Sequence, residues 1–233
     1  DFAETAPYKL PPNRRNHGVP MILTEVAGEL ARTTHDTAIG VAADEYSHRV
    51  MRHFVCPEQR CLLEFLDRDY RKVPPPEGTF VMPGHAIESM WFTLHRAMDR
   101  GDHGTIREAV EVIRWHLEKG WDTEYGGLYL GLDAAGHPPF FPYADTKVWW
   151  PHTEALYALL LAHKMTGEGW CEQWYDRVHE WSFQHFSMPD VGEWRQRLDR
   201  AGNPITTVVG LPVKDPFHLP RSVILAIELL QQK

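Results

Sequence analysis

Apolar side chains recur along this chain at helical spacing. Between residues 20 and 31 they fall at Met21, Ile22, Leu23, Val26 and Leu30, which lie along one helix face. The same spacing predicts helices over 39–54, 84–98, 105–117, 151–165, 171–186 and 220–230, seven in all. Pro20, Pro83, Pro151 and Pro220 stand at predicted helix starts, where a missing N–H costs nothing. Two kinds of helix alternate. Those opening near a proline are the more apolar, as in HTEALYALLLAHKM, and are expected to be buried on several sides. Those between, such as TIREAVEVIRWHLEKG, are amphipathic and suit an outer layer.

A repeat underlies the alternation. Leu-Asp dipeptides occur at Leu66-Asp67, Leu132-Asp133 and Leu198-Asp199, in steps of 66 residues. Two of them continue alike, as Leu132-Asp133-Ala134-Ala135-Gly136-His137-Pro138 and Leu198-Asp199-Arg200-Ala201-Gly202-Asn203-Pro204. A strand running into a glycine turn predicts hairpins at 61–72, 124–138 and 190–206. Glu88 and Glu154 share the 66-residue frame, as do His152 and His218, while His85 falls one residue outside it. Each repeat therefore reads as helix, helix, hairpin. The expected architecture is all-α: an α/α toroid with short β-hairpins between repeats, a single domain over 1–233. Four inner and three outer helices do not close a ring. Six such repeats need roughly 400 residues, so about five helices are expected to be missing on the N-terminal side.

Composition narrows the function. A net charge of −8 with scattered Lys and Arg excludes the clustered basic face that nucleic acid or an anionic membrane requires. No apolar run approaches the ~18 residues of a membrane span, and the N-terminus has no signal-peptide pattern. Three cysteines, Cys56, Cys61 and Cys171, suit a reducing compartment, and a cytoplasmic location is expected. The Cys56/Cys61 and His48/His53 pairs are read as structural, with no metal site expected.

The polar residues of chemical interest collect at inner-helix starts, which converge on one mouth of a toroid. Pro83-Gly84-His85 opens one helix and Glu88 lies three residues on, close enough to orient the imidazole. Lys147-Val148-Trp149-Trp150-Pro151-His152, followed by Glu154, opens the next, and Phe217-His218-Leu219-Pro220-Arg221 the last. Of the adjacent Trp149 and Trp150, one is expected in the core and one in the pocket. His116, His163, His179 and His185 lie on helix bodies and are not expected to be catalytic.

At these motifs the chain resembles the N-acylglucosamine 2-epimerase family. The matching stretches are PGHAIESMWF, GWDTEYGGLYL, KVWWPHTEAL, DVGEWRQRLDRAG and FHLPR, with a weaker GVPMIL near the start. The resemblance implies an (α/α)6 barrel, of which these would be the last seven helices. It implies 2-epimerisation of an N-acylglucosamine, with His85 and His218 as acid/base residues on opposite faces of the sugar. Glu88 would hold His85, Glu154 would be an essential carboxylate, and Arg221, Trp150, His152, Trp91, Lys147 and Phe217 would line the substrate. Imidazoles suit proton transfer at a carbon beside an aldehyde. No nicotinamide or metal is required, and no GxGxxG or HExxH motif is present. ATP as an effector and a homodimer are further implications of the resemblance. Family members carry an essential arginine on an early inner helix, a region absent from this chain.

Three other readings compete. An aldose–ketose isomerase of the mannose type would use the same histidines and return the proton to C1. A glycoside hydrolase or lyase on this scaffold could use Glu88 and Glu154 but leaves the histidines unexplained. A non-catalytic sugar- or protein-binding module would expose the apolar inner-helix surface of an incomplete ring.

Overall fold

The computed structural model describes residues 11–139, 141–205 and 217–231. Three successive units share one plan. The first runs β1 (Arg15–Asn16), α1 (Gly18–Thr34), α2 (Thr37–Arg49), β2 (Val55–Cys56), β3 (Cys61–Leu62) and β4 (Phe65–Leu66). A π-helical turn, Val50–Phe54, prolongs α2. The second runs β5 (Phe80–Val81), α3 (Pro83–Arg100), α4 (His103–Gly120) and β6 (Leu132–Asp133). The third runs β7 (Lys147–Val148), α5 (Trp149–Thr166), α6 (Gly169–His185), β8 (Ser187–Met188), β9 (Glu193–Trp194) and β10 (Arg197–Leu198). A fourth begins with α7 (His218–Gln231). Helices α1, α3, α5 and α7 pack side by side, and α2, α4 and α6 lie outside α1, α3 and α5. This is an arc of an α/α toroid.

The 66-residue period is a hydrogen-bonding frame. Inner helices α1, α3 and α5 end at His35, Gly101 and Gly167, all left-handed, with φ of +58°, +64° and +71°. The next residue starts the outer helix. Asp36 caps α2 by accepting from the Ala38 and Ile39 amides, and Asp102 caps α4 by accepting from Thr105. After each outer helix a tight antiparallel pairing follows: Val55 with Leu62, Trp121 with Leu128, Ser187 with Trp194.

The strands bearing the Leu-Asp dipeptides also pair far back along the chain. Leu66 lies opposite Arg15, Leu132 opposite Val81 and Leu198 opposite Lys147, each 51 residues back, on the strand that enters the inner helix. The predicted hairpins hold in part: Leu198 also pairs locally with Pro204, and the Asp67 amide donates to the Arg71 carbonyl, as the turns at 190–206 and 61–72 require. Further local hairpins span 55–62 and 187–194, and the Leu-Asp strands close each unit on its own entrance. The aspartate terminates the strand. Asp67 Oδ1 accepts from the Asp69 and Arg71 amides, and Asp133 Oδ1 from Ala135 and His137. A glycine follows at φ +82° (Gly136) and +87° (Gly202), where a side chain would be strained.

Helices α3 and α5 sit in the middle of the arc and are the most deeply buried. Helices α1 and α7 border it and expose apolar stripes: Val19, Ile22, Val26 and Leu30 on one, Val223, Ile224, Ile227 and Leu230 on the other. No helix among the described residues is long and apolar enough to cross a membrane.

Candidate active site

His85 is the third residue of α3, and its Nδ1 lies 3.1 Å from Oε1 of Glu64. Glu64 is 1% exposed, in the turn between β3 and β4. A carboxylate accepts, so Nδ1 donates and Nε2 of the neutral ring keeps its lone pair. Burial by itself would depress the His85 pKa. Burial is the largest single effect, but the charge and hydrogen bond of Glu64 and the charges of Glu88 and Glu154 together exceed it, and the pKa lies above the ordinary histidine value. Burial likewise opposes ionisation of Glu64, but His85 and His17 together outweigh it and hold the carboxyl well below the usual range. Behind the pair, fully buried, is His17, with Nδ1 3.5 Å from Glu64 Oε2.

The second imidazole is built the same way from other elements. His218 begins α7, and its Nδ1 lies 2.8 Å from Oε1 of Glu154, on α5. Trp91 Nε1 donates to the other oxygen of that carboxylate at 2.7 Å. Arg221, one turn along α7, spans Glu88 Oε1 at 2.8 Å and Glu154 Oε1 at 2.7 Å. Its guanidinium also lies 3.8 Å from the Phe217 ring centroid. Burial, then the neighbouring Glu154 charge, push the Glu88 pKa up, against the pull of His218 and Arg221. One cation thus ties two buried carboxylates from separate helices.

Trp150 joins the halves. Its indole lies 5.2 Å from the His85 ring and 5.5 Å from the His218 ring, tilted by 37° and 32°. It gets that close because residue 84 is glycine: a Cβ there would stand 2.5 Å from Trp150 Cζ3 and 2.7 Å from Pro151 Cβ. Trp149, its neighbour, is buried in the core.

The structure corrects four assignments. Glu88 does not hold His85; it holds Arg221, and Glu64 holds the imidazole. His152 is no pocket residue. It is 0% exposed, with Nδ1 bonded to the Val148 carbonyl and Nε2 accepting from the Leu128 amide. Burial pushes its pKa down to about 3, which keeps it neutral. His116 does the same for Leu62, one repeat earlier. Lys147 is also 0% exposed, ion-paired to Asp122 at 3.1 Å and 3.8 Å from the Tyr129 ring centroid. Burial pushes its pKa down to about 8. Trp91, 1% exposed, positions Glu154 and cannot stack on a ligand. Phe217 is half-exposed beside His218.

Sequence reasoning missed Glu64 and His17. The signal for Glu64 was present, as a lone carboxylate inside Leu62-Leu63-Glu64-Phe65-Leu66, where every residue is buried. A separate cavity of about 370 Å³ opens toward the other ends of the inner helices, with Arg32, His95, Asp99 and Tyr157 among its lining. It contains none of the residues around Trp150.

The family model described as N-acylglucosamine 2-epimerase matches residues 2–219. The chain belongs to this family. It is 32% identical over 223 residues to N-acylglucosamine 2-epimerase of Bos taurus, covering 94% of this chain and 52% of that protein. It is 30% identical over 208 residues to mannose-6-phosphate isomerase of Rhizobium meliloti, covering 87% of this chain and 52% of that one. A solved structure of D-mannose isomerase superposes with a TM-score of 0.79 at 20% identity, covering 97% of this chain and 57% of that chain. The chain thus spans about half the length of the curated relatives it matches.

Proposed function

We propose that this chain carries the two-histidine proton-transfer half of a sugar 2-epimerase acting on N-acylglucosamine and N-acylmannosamine. The observation that carries the reading is the pairing. Two imidazoles, each held through Nδ1 by a buried carboxylate, flank one indole. A carboxylate at Nδ1 leaves Nε2 as the working nitrogen and stabilises the imidazolium formed when it takes a proton. The C2 hydrogen of an open-chain aldose is acidified by the C1 aldehyde. One histidine removes it, an enediolate-like intermediate forms, and the other returns a proton to the opposite face. Arg221, at the edge of the site, offers positive charge to the oxygen that becomes anionic. Proton transfer of this kind calls for no redox cofactor; ATP enters this reading only as an effector.

The reading includes a cytoplasmic location, in keeping with three free, buried cysteines. The exposed stripes on α1 and α7 are surfaces for further helices of a closed ring or for a second copy in a homodimer. The Rhizobium meliloti relative favours one alternative, an aldose–ketose isomerase using the same histidines. Proton NMR of the full-length protein in deuterated water with N-acetylglucosamine, N-acetylmannosamine or mannose separates them. Deuterium at C2 of a 2-epimer, lost in His218→Ala, supports the epimerase, and a ketose product supports the isomerase. Absence of exchange with every sugar overturns both.

A further inference from the structure

Three clusters among the described residues bring three metal-ligating side chains within 4.8 Å of one another: His17/Glu64/His85, Glu25/Glu29/His95 and Glu88/Glu154/His218. Two of them already hold a cation. Arg221 bridges Glu88 and Glu154, and Arg32 lies 2.5 Å from Glu29 and 3.7 Å from Glu25. The first differs. Among the described residues, the Glu64 carboxylate receives, beyond its two histidines, only a hydrogen bond from the neutral Asn16 amide, at 3.3 Å. Its charge is buried, and among the described residues no Lys or Arg lies against it.

His17 makes the site distinctive. It is 0% exposed; among the described residues Nε2 has no hydrogen-bond partner, and Nδ1 only faces Glu64 Oε2 at 3.5 Å, too long and poorly aligned for a good hydrogen bond. Leaving such a nitrogen unpaired is costly. The other fully buried histidines, His116 and His152, have both nitrogens satisfied. Two imidazoles and one carboxylate are the donor set that zinc and its neighbours in the first transition row favour. The site has a way in, because the His85 side chain is 25% exposed while His17 and Glu64 lie deeper.

We propose that His17, Glu64 and His85 form a binding site for a zinc-class divalent cation, which inhibits by occupying His85. The inhibition rests on the function proposed above; the binding does not. The chemistry lies in the two ring nitrogens. With Nδ1–H donated to Glu64, Nε2 has a free lone pair and His85 can take a proton from carbon. With a metal on the Nδ1 lone pair, the ring's one proton moves to Nε2, which can no longer accept another. The same ring is a base without the ion and loses that role with it.

The test uses the full-length protein, stripped with a chelator and titrated with Co²⁺ while visible absorption is read. One equivalent binding with the strong d–d bands of a low-coordinate site is expected. His17→Phe, which fills the same space without a donor, should weaken it at least ~100-fold with circular dichroism unchanged. His95→Gln, which removes a ligand from the competing cluster, should leave it intact. Should His17→Phe fail to fold, zinc X-ray absorption on the wild type decides, because this is the one cluster of the three with two imidazoles. Fewer than two imidazoles on the bound zinc, no Co²⁺ uptake, or uptake indifferent to His17→Phe would overturn the site. Zinc loading should abolish C2 exchange. Binding with undiminished exchange would overturn the placement of the ion on His85. A protein inactive on every sugar would sink the epimerase reading and leave the Co²⁺ result standing.

Discussion

Gly84→Ala puts one methyl group between α3 and α5 at the point where Trp150 lies between the two histidines. The new Cβ would stand 2.5 Å from Trp150 Cζ3, 2.7 Å from its Cη2 and 2.7 Å from Pro151 Cβ. Carbon atoms are comfortable at about 3.5–4.0 Å, so the indole must retreat by roughly 1 Å. Pro151 is part of the α5 backbone and can yield only if the helix moves. Overpacking of this kind costs about 1–3 kcal/mol. Alanine's better helix propensity offsets up to about 1 kcal/mol, less in a first turn. A net loss of about 1–2 kcal/mol is expected in urea denaturation. Catalysis should suffer more than stability, because misplacing reacting groups by ~1 Å costs on the order of 100-fold. Gly169→Ala is the control: nothing lies within 4 Å of its Cβ, and a neutral or slightly stabilising effect is expected. Wild-type stability and wild-type C2 exchange in folded Gly84→Ala would refute the claim that Trp150 is pressed into place.

Glu64→Gln removes the charge that does most to raise the His85 pKa, leaving burial opposed only by the charges of Glu88 and Glu154. In the wild type this raised value stabilises the fold fully below the ordinary histidine pKa, and the contribution fades as pH rises through the raised one. In the variant the acidic limb of the exchange rate should move to lower pH; a limb that stays put would detach Glu64 from His85. His152→Phe orphans the buried Leu128 amide and should cost about 1–3 kcal/mol in thermal or urea unfolding. Turnover per folded molecule should be unchanged, and a fall in turnover without a fall in stability would put the ring back in the pocket. Arg221→Met leaves two buried carboxylates facing each other and should cost about 3–5 kcal/mol. Adding Glu88→Gln should restore part of that loss, and no recovery would mean the carboxylates do not repel.

Helices and the repeat were legible because their signals lie in the residues themselves. Apolar spacing marks the helices, and Leu66, Leu132 and Leu198 mark the period. Strand partners were not legible, because Leu66 pairs with Arg15 across two intervening helices and nothing nearby in sequence says so. In the site, His85, His218, Glu88, Glu154, Arg221 and Trp150 do come together. The errors at Glu88, His152 and Lys147 share one cause: position near a helix start does not fix where a side chain points. Helical spacing placed Glu88 beside His85, yet it turns to an arginine 133 residues away. His152 and Lys147 begin the same segment as Trp150 but face the strand connections. Glu64 was hidden by its setting, since a carboxylate among five buried positions looks like a strand until its partners are known.

No single repeat owns a working histidine. Glu64 belongs to the first unit and His85 to the second; Glu154 belongs to the third and His218 to the fourth. Each functional pair is therefore a splice across a seam, and Arg221 stitches three units at once. A repeat array unfolds by separation of neighbours, and its end units fray first. Chemistry here should thus be a more sensitive gauge of alignment between units than any helix signal. A seam that opened between α5 and α7 would silence half the site while nearly every helix remained intact.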